Sequence, residues 1–325
     1  MQKKNFLIFG GNHFVGQAAV QALLAKTKNT NVQIITITRT GVKTELFEHN
    51  SNLISLKADR NNEQALKTAL AKFDEFEIVF DITAYQPEHL TIPLRVLKNR
   101  VKKWAFVSSA GVYANSDILP LEENSPKVNK MPHLGKLQCE EILKSTENLI
   151  SFFIRPAYIY GPDNTFEREI FFFKAIEAEK EILIPGNGEN LLQFSLAEEI
   201  GQNLINLGFL PDSQTLHKAF HIANKNLYSV NYFIKTCGEV VGKEAKLKYF
   251  DPNLASQHKL DIRDIFPFRI NHYFTDLEPL HNLGLQNKIS LKDGLEKTYN
   301  WFKQNRNLYT ENCIMPAGLE LMNYL

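Results

Sequence analysis

Residues 5–16 read NFLIFGGNHFVG, and they decide the fold. Asn5–Phe9 is an apolar run of the length and type that makes one buried strand. Gly10 and Gly11 follow at once and read as a tight turn, since glycine takes positive φ without steric cost and lets a backbone approach a ligand closely. Gly16 then opens a stretch in which Val15, Ala18, Ala19 and Leu23 recur with helical spacing. A strand that ends in a glycine turn and runs into a helix aims free N–H groups and the positive end of the helix dipole at a bound phosphate. At the start of a βαβ unit this arrangement points to a dinucleotide. Gly10, Gly11, Asn12, His13, Phe14, Val15 and Gly16 are therefore candidate cofactor-binding residues. The glycine spacing alone is a weak signal, and its alternative is a turn with no ligand.

Outward from this point, short β-branched runs alternate with helical stretches. Val32–Thr38, Leu53–Leu56, Glu77–Asp81, Trp104–Ser108 and Leu149–Ile154 read as strands. Asn61–Phe73, Glu88–Lys98 and Leu137–Lys144 read as helices. The rhythm predicts a doubly wound α/β fold, a parallel Rossmann sheet covered on both faces. The expected division is a dinucleotide-binding domain over 1–162 and a smaller α/β lobe over 163–325. A segment near 190–224 is expected to return to the first domain, with Ala219–Ala223 as one more strand. Phe171–Phe173 reads as helical and joins a core or a subunit contact. PGNG at 185–188 reads as a turn.

The 325 residues are 44% hydrophobic and 22% charged, with a formal net charge of +1. That balance gives no global attraction to nucleic acid or anionic membrane. Cys139, Cys237 and Cys313 are odd in number and far apart, which fits reduced thiols in a cytoplasmic protein and neither a disulfide framework nor a zinc site. No apolar run is long enough to span a bilayer, and the apolar run after the first lysines is too short for a signal peptide. No metal ligand set is visible in the spacing of the nine histidines.

The second strand ends in Thr38-Arg39-Thr40, where an acid would hold the ribose hydroxyls of NAD. Arg39 either pairs with a 2′-phosphate, which tips the expectation towards NADP, or solvates a strand end. Asp59 and Arg60 follow the third strand, where an adenine contact is expected. Ala84 and Ser108, at the ends of the fourth and fifth strands, complete the expected cofactor shell.

With these residues in hand, the chain resembles the extended and atypical short-chain dehydrogenase/reductases, the epimerase/dehydratase group. FVSSAGVY (106–113) is similar to the strand that carries that group's catalytic Ser, here Ser109, and RPAYIYGP (155–162) to the next strand and its hinge. His13 within the glycine loop, SSAGVY (108–113), HLGKL (133–137), IRPAYIYGP (154–162) and FPFR (266–269) resemble, within it, the chloroplast stem-loop-binding group and its bacterial relatives. The resemblance implies a dinucleotide site, a homodimer through two helices of the first domain, and RNA association with metal-dependent endonuclease activity in plastid members.

The enzyme pattern is broken in two places. Active members carry a Tyr four residues before a Lys, on one helical face, so that the ammonium lowers the phenol's pKa and binds the nicotinamide ribose. Lys136 matches the Lys, but Pro132 stands at the Tyr position and has no proton to give. His133 is the remaining candidate proton shuttle, or else sits at the helix start without chemistry. Ser109, His133 and Lys136 are thus the candidate catalytic residues, Lys136 serving the cofactor as well. The second break is GNGENLLQFSLAEE (186–199), where Leu192 stands in place of the Arg that grips a diphosphate in nucleotide-sugar enzymes.

Two readings follow. One is an NAD(P)-binding protein without Tyr-dependent chemistry, regulatory or RNA-associated. The other is an active NADP-dependent epimerase, dehydratase or reductase on a small molecule other than a nucleotide sugar. The densest basic stretch, Arg95, Lys98, Arg100, Lys102 and Lys103, is either a phosphate-contacting patch or a solvated helix end. Asp59 and Asp81 are the acids that a metal-dependent nuclease would use, since both lie at C-terminal strand ends.

Overall fold

The computed structural model describes residues 3–41, 45–310 and 315–324. The first half of the chain lays down six strands: β1 Lys4–Phe9, β2 Val32–Thr38, β3 Leu53–Lys57, β4 Phe76–Asp81, β5 Val101–Val107 and β6 Ile150–Pro156. The strand Ala219–Ile222 pairs parallel to β6 and completes a seven-stranded sheet. Its order is Ala219–Ile222, β6, β5, β4, β1, β2, β3, parallel throughout. The order reverses at β1, so the crevice beyond the carboxyl ends of β1 and β4 is the place where such sheets bind ligands.

Successive side chains of a strand face opposite ways, and β1 shows what that accomplishes. Phe6 and Ile8 pack under the helices Phe14–Lys26 and Ala197–Gly208, with Val15, Ala19, Leu23, Ile200 and Leu204. Leu7 and Phe9 pack on the other face, with Leu66, Leu90, Cys139 and Leu143 from the helices Glu63–Leu70, Glu88–Val96 and His133–Ser145. Each such fully buried side chain contributes about 1.5–3 kcal/mol. The helices Phe14–Lys26 and Ala197–Gly208 approach so closely that a Cβ on Gly201 would lie 2.5 Å from the carbonyl carbon of Ala18.

The second lobe has its own, aromatic core. Phe172, in the helix Arg168–Glu177, packs with Phe233, Phe266 and Phe268 at ring separations of 5.7–6.0 Å. The FPFR segment therefore supplies core aromatics, and Phe171–Phe173 is helical as its spacing suggested. PGNG is a turn, with positive φ at Gly186 and Gly188. Cys139 and Cys237 are buried free thiols, and Cys313 lies outside the described residues. No described helix is long and apolar enough to cross a membrane.

Candidate functional site

The glycine loop joins β1 to the helix Phe14–Lys26 at the switch point of the sheet. Gly10 has φ of +91°, and a Cβ on Gly16 would fall 1.7 Å from the Gly10 carbonyl oxygen. No side chain fits there, so the helix begins directly against the turn. Asn12 ties the loop to the end of β2 through Thr38, Nδ2 to Oγ1 at 3.2 Å. Val15 is buried beneath the loop. The helix has no acid in its first turn, and His13, its N-cap, makes no side-chain capping bond.

The helix N-terminus instead meets Asp163. The Phe14 N–H donates to Asp163 Oδ2 at 3.0 Å, and His13 Nδ1 lies 3.1 Å from the same oxygen. An anion thus already sits where a helix N-terminus favours one. Arg39 is exposed beyond β2, with no acid among Thr38–Gly41 and no carboxylate partner among the described residues. Asp59 is exposed and caps its own turn through the Asn61 N–H at 2.9 Å.

The structure employs Arg60 differently from the expected adenine contact. Its guanidinium is buried on Asp81, with bonds of 2.8 and 2.5 Å, and its Nε donates to the His89 carbonyl at 2.7 Å. The Asp81 carboxylate also accepts the N–H groups of Thr83 and Ala84. Asp81 thus organises the loop after β4 and is spent as a charge partner. Among the described residues no three His, Cys, Asp or Glu side chains gather as a metal-ligand set.

The carboxyl end of β5 carries the catalytic candidates. Ser108 is buried, its N–H bonded to the Ile154 carbonyl at 2.8 Å and its Oγ without a protein partner. Ser109 Oγ accepts the Gly111 N–H at 3.0 Å and caps a single turn of helix. A Cβ on Gly111 would lie 2.4 Å from His133 Cε1, so the imidazole lies against this glycine beside Ser109. Pro132 immediately precedes the helix His133–Ser145, the start of a helix being where proline is tolerated. Burial holds the His133 imidazole below its ordinary pKa, and the nearby charges of Arg269, Lys136, Arg168 and Arg263 push the same way. Lys136 is buried, donates to the Val107 carbonyl at 2.7 Å, and lies 4.1 Å from the centre of the Tyr85 ring. Burial brings its pKa down to about 8.

Several site residues escaped the sequence reading. Tyr85 covers Lys136, and Asp163 covers the helix end. The Arg168 guanidinium lies 5.7 Å from the Tyr158 ring, while Tyr158 Oη accepts the Arg269 N–H at 3.0 Å. Arg269 Nη1 donates to Asn115 Oδ1 at 2.7 Å. Arg168, Arg263 and Arg269 have no carboxylate within ion-pair distance among the described residues. With Lys136 they make the surroundings of His133 cationic. Only Arg269 had a visible signal, as the last residue of FPFR, and its role was not legible.

Other motif residues are structural. Arg155 of RPAYIYGP is buried, bidentate on Glu140 at 3.0 and 2.5 Å, and donates to Tyr113 Oη at 2.6 Å. Tyr113 Oη in turn lies 2.6 Å from His221 Nε2. This network fastens β6 and the Ala219–Ile222 strand to SSAGVY. Four of the five residues of the basic stretch have partners. Arg95 pairs with Glu63, Lys102 with Glu77 and Lys103 with Asp212, while Arg100 caps carbonyls of Leu70, Phe73, Asp74 and Val96. Leu192 is buried in the second lobe's core, and Tyr160 packs edge-on to Phe194.

Residues 6–204 match the model of the NAD dependent epimerase/dehydratase family. The chain belongs to that family. It is 28% identical to the chloroplast stem-loop binding protein of 41 kDa b from Arabidopsis thaliana, over 98% of this chain and 86% of that one. Its fold is similar to that of dTDP-glucose 4,6-dehydratase from Bacillus anthracis solved in complex with NAD. That match has a TM-score of 0.76 at 16% identity and covers 94% of this chain and 100% of the other. The UDP-glucose 4-epimerase from Thermotoga maritima solved with UDP-glucose gives 0.75 at 20% identity, covering 93% and 99%.

Proposed function

We propose that this chain binds a nicotinamide dinucleotide at the Gly10–Gly16 loop, NADP in preference to NAD, and has lost Tyr-dependent hydride chemistry at Pro132. The observation that carries the reading is the combination of an intact phosphate cradle with a proline where the proton donor belongs. The residues fit the group: Gly16 leaves no room for a side chain at the loop, an anion already occupies the helix end, and Ser108 Oγ is a buried polar atom without a partner among the described residues. Arg39, which has no carboxylate partner among the described residues, supports the preference for a 2′-phosphate.

On this reading the protein is regulatory or associated with RNA, as the name of its Arabidopsis relative suggests for that protein. The cationic surroundings of His133, made by Arg168, Arg263 and Arg269, are where a phosphate-bearing partner would be met.

A calorimetric titration of nucleotide-stripped protein with NADP⁺ and NAD⁺ tests the proposal. Micromolar binding is expected, with NADP⁺ tighter, and Arg39→Ala should cost about tenfold for NADP⁺ alone, about 1.4 kcal/mol. Absence of binding by both nucleotides would overturn it.

One observation favours a second reading. The His133 imidazole lies against Gly111, whose N–H is bonded to Ser109 Oγ, and burial lowers its pKa. When bound, a nicotinamide supplies a hydride acceptor. In this chain His133 is the side chain left to take the accompanying proton from a hydroxyl polarised by Ser109.

A further inference from the structure

We propose that Asp163 is a built-in competitor for the dinucleotide's diphosphate, and that cofactor entry releases it; the inference rests on the dinucleotide reading above. The Phe14 N–H belongs to the first turn of a 13-residue helix at the glycine loop, the group a bound diphosphate would use. In this structure it donates to Asp163 Oδ2 at 3.0 Å, and His13 Nδ1 takes the same oxygen at 3.1 Å. The two partners lie about 150 residues from Asp163 in sequence, so the contact joins the glycine loop to the start of the second lobe. The Asp163 carboxyl is largely buried, its side chain 16% exposed. A diphosphate and a carboxylate cannot share one donor, and their like charges repel. One of them has to leave.

The mounting of Asp163 gives its departure a consequence. It directly follows the YGP hinge, with φ of +65°. The residues on either side are pinned, since the buried Glu169 carboxylate accepts the Gly161 N–H at 3.0 Å and the Asn164 amide at 3.0–3.1 Å. The short loop held this way leads into the helix Arg168–Glu177, which carries Arg168 to the cations around His133. Releasing Asp163 therefore breaks a hydrogen-bonded tether between the phosphate loop and the segment that presents Arg168. Cofactor occupancy and the arrangement of the cations around His133 become linked through a single carboxylate.

The test compares wild type, Asp163→Asn and Asp163→Ala in calorimetric titrations with NADP⁺ and NAD⁺, alongside amide-resolved hydrogen exchange of the free proteins. Removing one charge-assisted hydrogen bond and its dipole interaction should tighten dinucleotide binding by about tenfold in both variants. The Phe14 amide should exchange faster in free Asp163→Ala than in free wild type, and equally slowly in both at saturating nucleotide. Affinities equal within about twofold, or weaker binding by the variants, would overturn the competitor role and leave the dinucleotide reading standing. Tighter binding with unchanged Phe14 exchange would also overturn it, as the removal of a nearby charge and not of a contact. No binding by any of the three proteins would overturn both readings.

Discussion

Gly16→Ala is the smallest change that tests the phosphate cradle. The new Cβ would lie 1.7 Å from Gly10 O, 2.8 Å from the Gly10 carbonyl carbon and 3.3 Å from Gly11 Cα. All three are backbone atoms, and none can swing aside as a flexible side chain can. Contacts under 3.0 Å are essentially never adopted, so helix and turn have to part by more than about 1 Å. Overpacking of this kind costs about 1–3 kcal/mol of stability, which a protein with the usual ~5–15 kcal/mol survives folded. Binding suffers more. A shift of about 1 Å takes the Phe14 and neighbouring N–H groups out of hydrogen-bonding range, and each bond to a charged group is worth about 1.5–3 kcal/mol. Loss of two predicts affinity weakened by about 100-fold or more. Isothermal titration with NADP⁺ reads the affinity, and urea denaturation followed by circular dichroism confirms that the variant is folded. A folded Gly16→Ala protein that binds within about twofold of wild type would show that the dinucleotide does not use this loop.

Three further outcomes are expected. If His133 is the acid–base group, His133→Ala lowers turnover by about 100-fold or more and leaves calorimetric affinity for the dinucleotide unchanged; unaltered turnover removes it from the mechanism. Its depressed pKa keeps the base form present at neutral pH, so activity falls only on the acid side of the ordinary histidine range. Glu140→Gln leaves the Arg155 guanidinium buried without its countercharge and should cost about 3–5 kcal/mol in urea denaturation, an unchanged midpoint refuting the network's structural role. Lys136 binds its proton less tightly folded, about 8, than in its ordinary state at 10.5. Between those values the unfolded chain holds more protons, so stability rises with pH from about 8 to 10.5. Lys136→Met should flatten that part of the stability–pH curve, and an identical slope in the variant would place the titration elsewhere.

The sheet was legible because its signals are local. The apolar run 5–9, the glycines at 10, 11 and 16 and the helical spacing of Val15, Ala19 and Leu23 lie within one βαβ unit. Period-two burial then follows from strand geometry. Even the returning strand Ala219–Ile222 was visible as an isolated apolar run. Charge partners were not legible, because they are set by tertiary distance. Arg60 seemed free to meet adenine beside Asp59, but Asp81, 21 residues later, takes its guanidinium. The Arg95–Lys103 stretch read either as a phosphate patch or as a solvated helix end, and its partners Glu63, Glu77 and Asp212 come from other elements. Asp163 is the clearest case: a single acid after YGP has no pattern around it, and only the folded chain brings it onto Phe14. The arginines around His133 are spread over about a hundred residues for the same reason.

The helix that starts at the glycine loop does not find its cover among its neighbours in sequence. It lies against Ala197–Gly208, pressed onto Ala18 at Gly201, and the sheet edge next to β6 is closed by Ala219–Ile222. A fragment ending at the YGP hinge would keep the entire phosphate loop yet leave Ala18 without its cover at Gly201 and one strand edge bare. Such a piece would be sticky and short-lived. The nucleotide-binding half is completed only by segments that return from beyond residue 190.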